Sequence, residues 1–285
     1  MNPQFNFLAP TYNLEQRRVR LMDLHKNLVK SALLKVMRLL EPHCDYYLSH
    51  SNQFHPFVNP IVGIRTSPPC KLPPKEVWAY GLDKVQHAMT QLISHELYEH
   101  NIKGAIAELG AYRGFNASVM NHFFPDRKLY LFDTFEGFDL RDLEAEEQLG
   151  YTTKNYDDFS DTNIELVMSK MSHKENIIVR KGWFPDSAVG LEDETFCFVS
   201  IDADLYQPIY EGLHWFYPRL AKGGYIIVDD FNWSDYPGAK KAVLDFSREV
   251  GISYIPIPNT TGSVVIGKPF GFATAVKSSH TKDDQ

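Results

Sequence analysis

Two short apolar runs, Phe196–Ile201 and Gly224–Val228, each lead into carboxylates: Asp202 and Asp204 follow the first in IDADLY, and Asp229 and Asp230 follow the second in VDDF. Runs of this length rich in Val, Ile and Phe read as strands buried on both faces of a parallel sheet. In an open α/β sheet, ligands collect beyond the carboxyl ends of such strands, so neighbouring strands would bring these acids to one rim. Two carboxylates ~4 Å apart repel by about 4 kcal/mol at an effective dielectric near 20. A cation, a proton or a Lys/Arg must offset that, and neither motif contains a basic residue. A hard divalent ion with oxygen ligands suits the set. Singly, each acid also suits an ordinary strand-to-loop turn, and Asp230 suits a cap on the next turn. Their repetition after two successive strands favours the metal reading.

A third strand end carries Glu108-Leu-Gly110-Ala-Tyr-Arg-Gly114, an E-x-G-x-x-x-G turn opening into a helical run. Glycines there let the backbone approach a ligand, and a helix N-terminus offers free amide donors. Asp133 ends the following strand, where a carboxylate can accept from ribose hydroxyls. Lys181-Gly182-Trp183-Phe184 follows a further strand and offers rings to flank an adenine. Such a glycine turn also occurs with no ligand; Glu108, Asp133 and the aromatic pair favour an adenosine ligand. G-x-G-x-x-G is absent, which disfavours a nicotinamide-dependent oxidoreductase.

The elements that must position these residues alternate along the chain. AIAEL, KLYLF, NIIVR, FCFVSI and GGYIIV read as strands, with helices from about Asn116, over Ile164 to Met171, from about Pro208 and from about Gly238. Thr162 and Glu165 suit a capping box for the helix at Ile164. The alternation predicts a doubly wound, mainly parallel α/β sheet. ISYIPI and SVVIG are separated only by residues 258–262, too short for a parallel crossover, so they should form an antiparallel hairpin. Upstream, Leu21, Leu24, Leu28, Ala32, Val36 and Leu39 give an amphipathic helix over residues 14–41, suited to packing on the core, to a subunit contact or to a lid. A Pro-rich connector spans residues 55–74. A helix is expected from Pro74, with Trp78, Leu82, Val85, Met89, Leu92, Ile93 and Leu97 on its apolar stripe and Gly104 at its stop. The expected divisions are an N-terminal extension over 1–75, a core domain over 76–270 and a tail over 271–285.

With 285 residues, 44% hydrophobic and 23% charged, the chain has the composition of a globular domain with additions. No apolar stretch approaches the ~20 residues of a membrane helix, and the N-terminus lacks the charged and apolar segments of a signal peptide; a soluble cytoplasmic protein without membrane insertion is expected. Cys44, Cys70 and Cys197 are widely spaced without C-x-x-C, which argues against a disulfide framework or thiolate zinc site. The formal net charge is −7, and between Asp139 and Glu165 nine acids face only Arg141 and Lys154. No basic face is evident, so a nucleic-acid partner is not expected. For the acidic run itself a solvated loop is the favoured reading over direct substrate contact. The eleven His are scattered, with no H-x-x-x-H or H-E-x-x-H, and read as surface or packing residues.

Taken together, AELGAYRG, FDTFEGF, VRKGWF, SIDADLY, FYPRLAKGGYIIVDDF and GAKKAV resemble the macrocin-type (TylF) O-methyltransferases, from about Tyr80 to Gly267. The resemblance implies a Rossmann-like class I S-adenosylmethionine methyltransferase fold: a seven-stranded, mostly parallel sheet ending in the antiparallel hairpin. It implies a divalent cation, usually magnesium, and methylation of a sugar hydroxyl. It also implies that Glu108, Gly110 and Ser118 lie around the methionine part of the cofactor, that Gly114 belongs to the cofactor site, that Asp133 is on ribose, and that Thr134, Phe135, Gly182, Trp183 and Phe184 lie near ribose and adenine. Asp202, Asp229 and Asp230 match the family's metal ligands, with Asp204 beside them, and residues 136–165 correspond to a lid. Homo-oligomers are implied, with a small-molecule or saccharide acceptor.

Coordination to a cation lowers the pKa of a sugar hydroxyl and holds it beside the methyl group, while a nearby carboxylate takes the proton. Some relatives are thought to use a lid histidine as base, but none occurs from Phe138 to Asn163, and His173 reads as a surface residue. Asp202 or Asp204 is therefore the expected base, with Tyr151, Lys154 and Tyr156 as alternatives. A phenol or catechol acceptor is the nearest rival; Leu205 stands where catechol-type enzymes are expected to carry lysine. A catalytically silent methyltransferase fold acting as a scaffold is the remaining alternative.

Overall fold

The computed structural model describes residues 46–49, 61–64, 83–151, 159–259 and 261–271. The expected helix over 14–41 and most of the Pro-rich connector lie outside them. Two pieces of the N-terminal region are described: β1 (Tyr46–Ser49) and β2 (Ile61–Ile64), which form a two-stranded sheet. The second lies inside the stretch read from its prolines as irregular.

The main sheet has seven strands: β3 (Ala105–Leu109), β4 (Leu129–Asp133), β5 (Ile177–Lys181), β6 (Phe196–Ile201), β7 (Leu220–Val228), β8 (Ile255–Pro256) and β9 (Val264–Gly267). Their spatial order is β5-β4-β3-β6-β7-β9-β8. β3 to β7 pair in parallel, whereas β9 runs antiparallel to both β7 and β8. This is the expected doubly wound sheet with its terminal hairpin. From β3 the chain winds first toward β5 and then returns to β6 on the other side, so the topological switch lies between β3 and β6. A ligand crevice belongs there.

Strand residues alternate between two apolar layers. Tyr130, Phe132, Ile226 and Val228 face a layer completed by Ile209, Leu213 and Phe216 of α5 (Tyr206–Arg219) and by Ala242, Val243 and Phe246 of α6 (Pro237–Val250). Leu129, Leu131, Phe198 and Ile227 face the other, with Ile93 and Leu97 of α1 (Lys84–Glu99), Met120 of α2 (Phe115–Phe123) and Val167 of α4 (Ile164–Ser169). Burial on both faces explains why these strands read as unbroken apolar runs. Each fully buried Phe contributes roughly 2–3 kcal/mol of transfer free energy.

Local signals set the helix ends. Asp83 accepts the amides of Val85 and Gln86 at 2.9 and 3.1 Å to start α1, and Pro237 opens α6, which ends on left-handed Gly251. The capping box expected at Thr162 and Glu165 is not the cap of α4. Asn163 accepts the Leu166 amide at 2.8 Å, and the Thr162 hydroxyl turns away to the Tyr112 carbonyl. A further helix, α3 (Leu140–Gln148), stands within the acidic run. Among the described residues no helix is long and apolar enough to cross a membrane. Cys197 is buried and its thiol is pushed up to about 11 by that burial, consistent with an inert role.

Candidate active site

Register brings the strand-end residues into line. Leu109 pairs with both Phe132 and Ile201, and Ile201 pairs with Val228. The ladder runs one step further: Gly110 N–H donates to the Phe132 carbonyl at 2.9 Å, Asp202 N–H to Leu109 at 2.8 Å, and Asp229 N–H to Ile201 at 2.8 Å. The glycine turn and both acid pairs therefore share one rim at the switch point. Gly110 sits at φ +87°, and a Cβ there would lie 1.8 Å from the Asp202 carbonyl oxygen. No other residue fits so close an approach.

Beyond this rim opens a cavity of about 370 Å³, within the range of small-molecule sites. Among the described residues lining it, every charged side chain is an aspartate: Asp133, Asp139, Asp142, Asp202, Asp204, Asp229 and Asp230. Among the described residues, four of the six non-glycine ones with positive φ, namely Tyr112, Phe159, Asp204 and Asp230, line it too. Such backbone strain clusters where function over-determines conformation.

The acids differ in their surroundings. Asp202 is held well above the usual carboxylate range by burial, and further by the charges of Asp229, Asp230, Glu108 and Asp133. Asp230 is raised likewise by burial and then by Asp204, whose carboxyl it meets in a hydrogen bond. Two carboxyls in contact require a shared proton or a bridging cation. Asp229 is tied into the terminal hairpin: its Oδ1 accepts from the Thr261 hydroxyl, from the Ser263 hydroxyl at 2.5 Å and from the Asn259 amide at 3.4 Å, while Oδ2 accepts from Gln86 of α1 at 3.2 Å. Among the described residues no three His, Cys, Asp or Glu side chains stand as a ready metal cage. What suits a divalent ion is the donor chemistry: converging carboxylates with no basic residue in the lining.

Asp133, Thr134, Gly182, Trp183 and Phe184 line the cavity together with Gly110. Asp133 accepts the amides of Tyr112 at 2.8 Å and Phe135 at 2.5 Å, bracing the loops after β3 and β4; burial raises its pKa. Glu108, Gly114, Ser118 and Phe135 stand behind the wall rather than in the lining. Buried Glu108 accepts from Asn116 at 2.7 Å through one oxygen, its other oxygen has no partner, and burial pushes its pKa up to about 8. Ser118 donates to the Phe115 carbonyl at 2.6 Å. Leu205 is fully buried at the start of α5, so no basic group stands there.

The acidic run departs most from expectation. It is not simply a solvated loop, because Asp142 and Glu146 of α3 are buried. Asp142 accepts from Trp183 Nε1 at 2.9 Å and is pushed up to about 6, chiefly by burial. Arg141 stacks 4.0 Å over the same indole and pairs with Asp139 at 2.8 Å. Glu146 Oε2 accepts the Tyr206 amide at 2.8 Å, while Oε1 is buried without a hydrogen-bond partner and lies against Gly238 at the start of α6. Acid-rich composition conceals this docking; the only local hint is Leu143, the buried apolar residue between Asp142 and Glu146.

With that geometry established, the model of the macrocin O-methyltransferase (TylF) family matches residues 78–261. Demethyldecarbamoylnovobiocin O-methyltransferase of Streptomyces niveus is 26% identical over 169 residues, covering 54% of this chain and 62% of that protein. The 8-demethyl-8-(2,3-dimethoxy-α-L-rhamnosyl)-tetracenomycin-C 4'-O-methyltransferase of Streptomyces olivaceus is 24% identical over 65% of this chain and 71% of that protein. Mycinamicin III 3''-O-methyltransferase of Micromonospora griseorubida is 26% identical over 60% of this chain and 69% of that protein. The chain thus spans less than two thirds of the length of the first of these relatives. Among solved structures, the O-methyltransferase NovP superposes with a TM-score of 0.54 at 20% identity, covering 65% of this chain and 80% of that chain. A calicheamicin methyltransferase gives 0.52 at 17%, covering 64% and 78%.

Proposed function

Because the chain belongs to the macrocin O-methyltransferase (TylF) family, we propose that it methylates a hydroxyl of a sugar, using S-adenosylmethionine as donor and a divalent cation, magnesium, in the acid cluster. The sugar is carried by a natural product, a nucleotide or a polysaccharide. The observation that carries the reading is the alignment of Gly110, Asp202 and Asp229 by sheet register at the switch point, in one cleft with Asp133 and Trp183. The relative whose name includes a rhamnosyl group supports the sugar acceptor.

S-adenosylmethionine supplies an electrophilic methyl group. Asp133 would take the ribose hydroxyls and Trp183 would flank the adenine, with Gly110 leaving room for the methionine part. The unpartnered oxygen of Glu108 sits behind that turn and suits the amino group, directly or through water. A divalent cation bound to Asp202, Asp229 and Asp230 supplies acidification of the acceptor hydroxyl. Asp204, in contact with Asp230, or Asp202 would receive the proton. Residues 76–270 form the catalytic unit in this reading, with 1–75 as an extension, 271–285 as a tail and 136–165 as the lid, of which α3 is held by Asp142 and Glu146.

Calorimetric titration of the purified chain with S-adenosylmethionine and with NAD, followed by transfer of labelled methyl to a panel of sugar acceptors with magnesium or with a chelator, tests the reading. S-adenosylmethionine should bind and NAD should not. The chelator and Asp230→Ala should each stop transfer while cofactor affinity stays within a few-fold. No affinity for S-adenosylmethionine would move the scaffold reading to the front, and full transfer in the chelator would remove the cation.

A further inference from the structure

We propose that Asp229 serves the cleft through Oδ2 alone, and that Gln86 of α1 is the positioning residue that sets this oxygen. The inference rests on the cation part of the methyltransferase reading and adds a residue that lies outside every motif carrying that reading.

The first support is the distribution of donors over the carboxylate. Oδ1 of Asp229 accepts from the hydroxyls of Thr261 and Ser263, from the Asn259 amide at 3.4 Å and from the Asp230 N–H at 2.9 Å. A carboxylate has about four lone-pair directions shared between its two oxygens, so these donors more than fill Oδ1. Among the described residues Oδ2 accepts a single bond, from Gln86 Nε2 at 3.2 Å. The remaining lone pair of Asp229, a residue of the cleft lining, is therefore on Oδ2. A hard cation held by Asp229 takes that lone pair or must displace donors of the terminal hairpin.

The second support is how firmly Gln86 is placed. Asp83 accepts the Gln86 backbone amide at 3.1 Å, the Thr90 hydroxyl donates to the Gln86 carbonyl at 3.0 Å, and Ile93 and Leu97 seat the same helix in the core. Gln86 is itself buried. Because a carboxylate only accepts, the amide nitrogen of Gln86 is the end that faces Asp229, and it adds no charge to the acids. A neutral donor on a rigid helix occupies one lone pair of Oδ2 and leaves the other directed, the role that outer hydrogen-bond partners play for ligating carboxylates. The fold does not need this bond to hold Asp229, since the donors on Oδ1 already do so. Its loss should fall on whatever Oδ2 binds.

The test uses the full chain saturated with S-adenosylhomocysteine, with bound Mn²⁺ read by electron paramagnetic resonance. The parent should bind Mn²⁺ and Asp230→Ala should lose it, which checks the cation reading itself. Gln86→Met keeps the length of the side chain and drops the donor. Its Mn²⁺ affinity should fall roughly tenfold or more, while S-adenosylhomocysteine affinity and melting temperature stay at parental values. Asp229→Asn should also fold, because its carbonyl can accept the donors at Oδ1. Its amide nitrogen then stands in the place of Oδ2, so Mn²⁺ affinity should fall roughly a hundredfold. Parental Mn²⁺ affinity in Gln86→Met, with or without a lower melting temperature, makes Gln86 a structural residue only and overturns the inference while the cation reading stands. Near-parental Mn²⁺ affinity in Asp229→Asn overturns it too, by removing Oδ2 from the site. A parent that binds no Mn²⁺ overturns the cation reading and this inference with it.

Discussion

Glu146, on the acidic helix α3, accepts the backbone amide of Tyr206 at 2.8 Å and so closes the N-terminus of α5. That helix has no side-chain cap of its own, because its Ncap residue is Leu205. The same carboxylate reaches Gly238 at the start of α6. One acid from the segment over the cleft therefore caps one helix of the core and packs against the start of another. A carboxylate at a helix N-terminus is electrostatically favourable, which offsets part of the burial that raises the pKa of Glu146.

Glu146→Ala should cost about 1–2 kcal/mol of stability, the range for loss of a helix cap, and should expose the backbone of residues 140–151 to protease. Gly238→Ala should reproduce both effects without touching an acid, because its Cβ would lie 2.1 Å from Glu146 Oε1. Urea unfolding and timed proteolysis read the two outcomes. A Gly238→Ala protein as stable and as protected as the parent would refute the latch.

Asp229 makes a second prediction, because its carboxylate serves the hairpin as well as the cleft. Ser263→Ala removes one hydroxyl from Oδ1 and should cost about 1 kcal/mol. Asp229→Ala strands Asn259, Thr261 and Ser263 together and should cost about 3 kcal/mol. If Asp229 also holds a cation, loosening it through Ser263 should weaken Mn²⁺ binding roughly tenfold or more, measured by electron paramagnetic resonance, with S-adenosylmethionine affinity unchanged. Unaltered Mn²⁺ affinity would confine Asp229 to the hairpin.

How much of this was readable in the sequence follows from where each signal lies. Strands buried on both faces spell themselves as apolar runs, and their order follows from alternation with helices, so the sheet, its hairpin and the shared rim at Gly110, Asp202 and Asp229 were all legible. The partners of Asp229 were not. Thr261 and Ser263 lie more than thirty residues downstream and Gln86 lies 143 upstream, and only the antiparallel pairing of β7 with β9 and the packing of α1 bring them together. The docking of α3 was hidden for another reason: Asp142 and Glu146 look like the solvated acids around them until the Trp183 indole and the first amide of α5 supply their donors. Ser118 and Phe135 illustrate the converse. Both sit in motifs that promise ligand contact, and the sequence did not show that the hydroxyl also bonds within its own helix or that the ring packs into the core.

The buried acids also fix a dependence on pH. Glu108 is raised from 4.5 to about 8 by burial, and Asp142 from 3.8 to about 6. Each is therefore protonated in the folded protein over a range in which it is ionised in the unfolded chain. The unfolded state binds fewer protons there, so stability falls as pH rises. The Glu108 contribution is fully present below about pH 4.5, declines up to about pH 8 and is absent above it; that of Asp142 is lost between about pH 4 and 6. Melting temperatures of the ligand-free protein, taken in steps from pH 5 to 8.5, should fall less steeply in Glu108→Gln than in the parent, with the two curves diverging up to about pH 8 and running parallel beyond it. Asp142→Asn should alter the profile only below about pH 6. Identical slopes for parent and Glu108→Gln would mean that Glu108 is already ionised in the fold, and its unpartnered oxygen would then need a cation of its own.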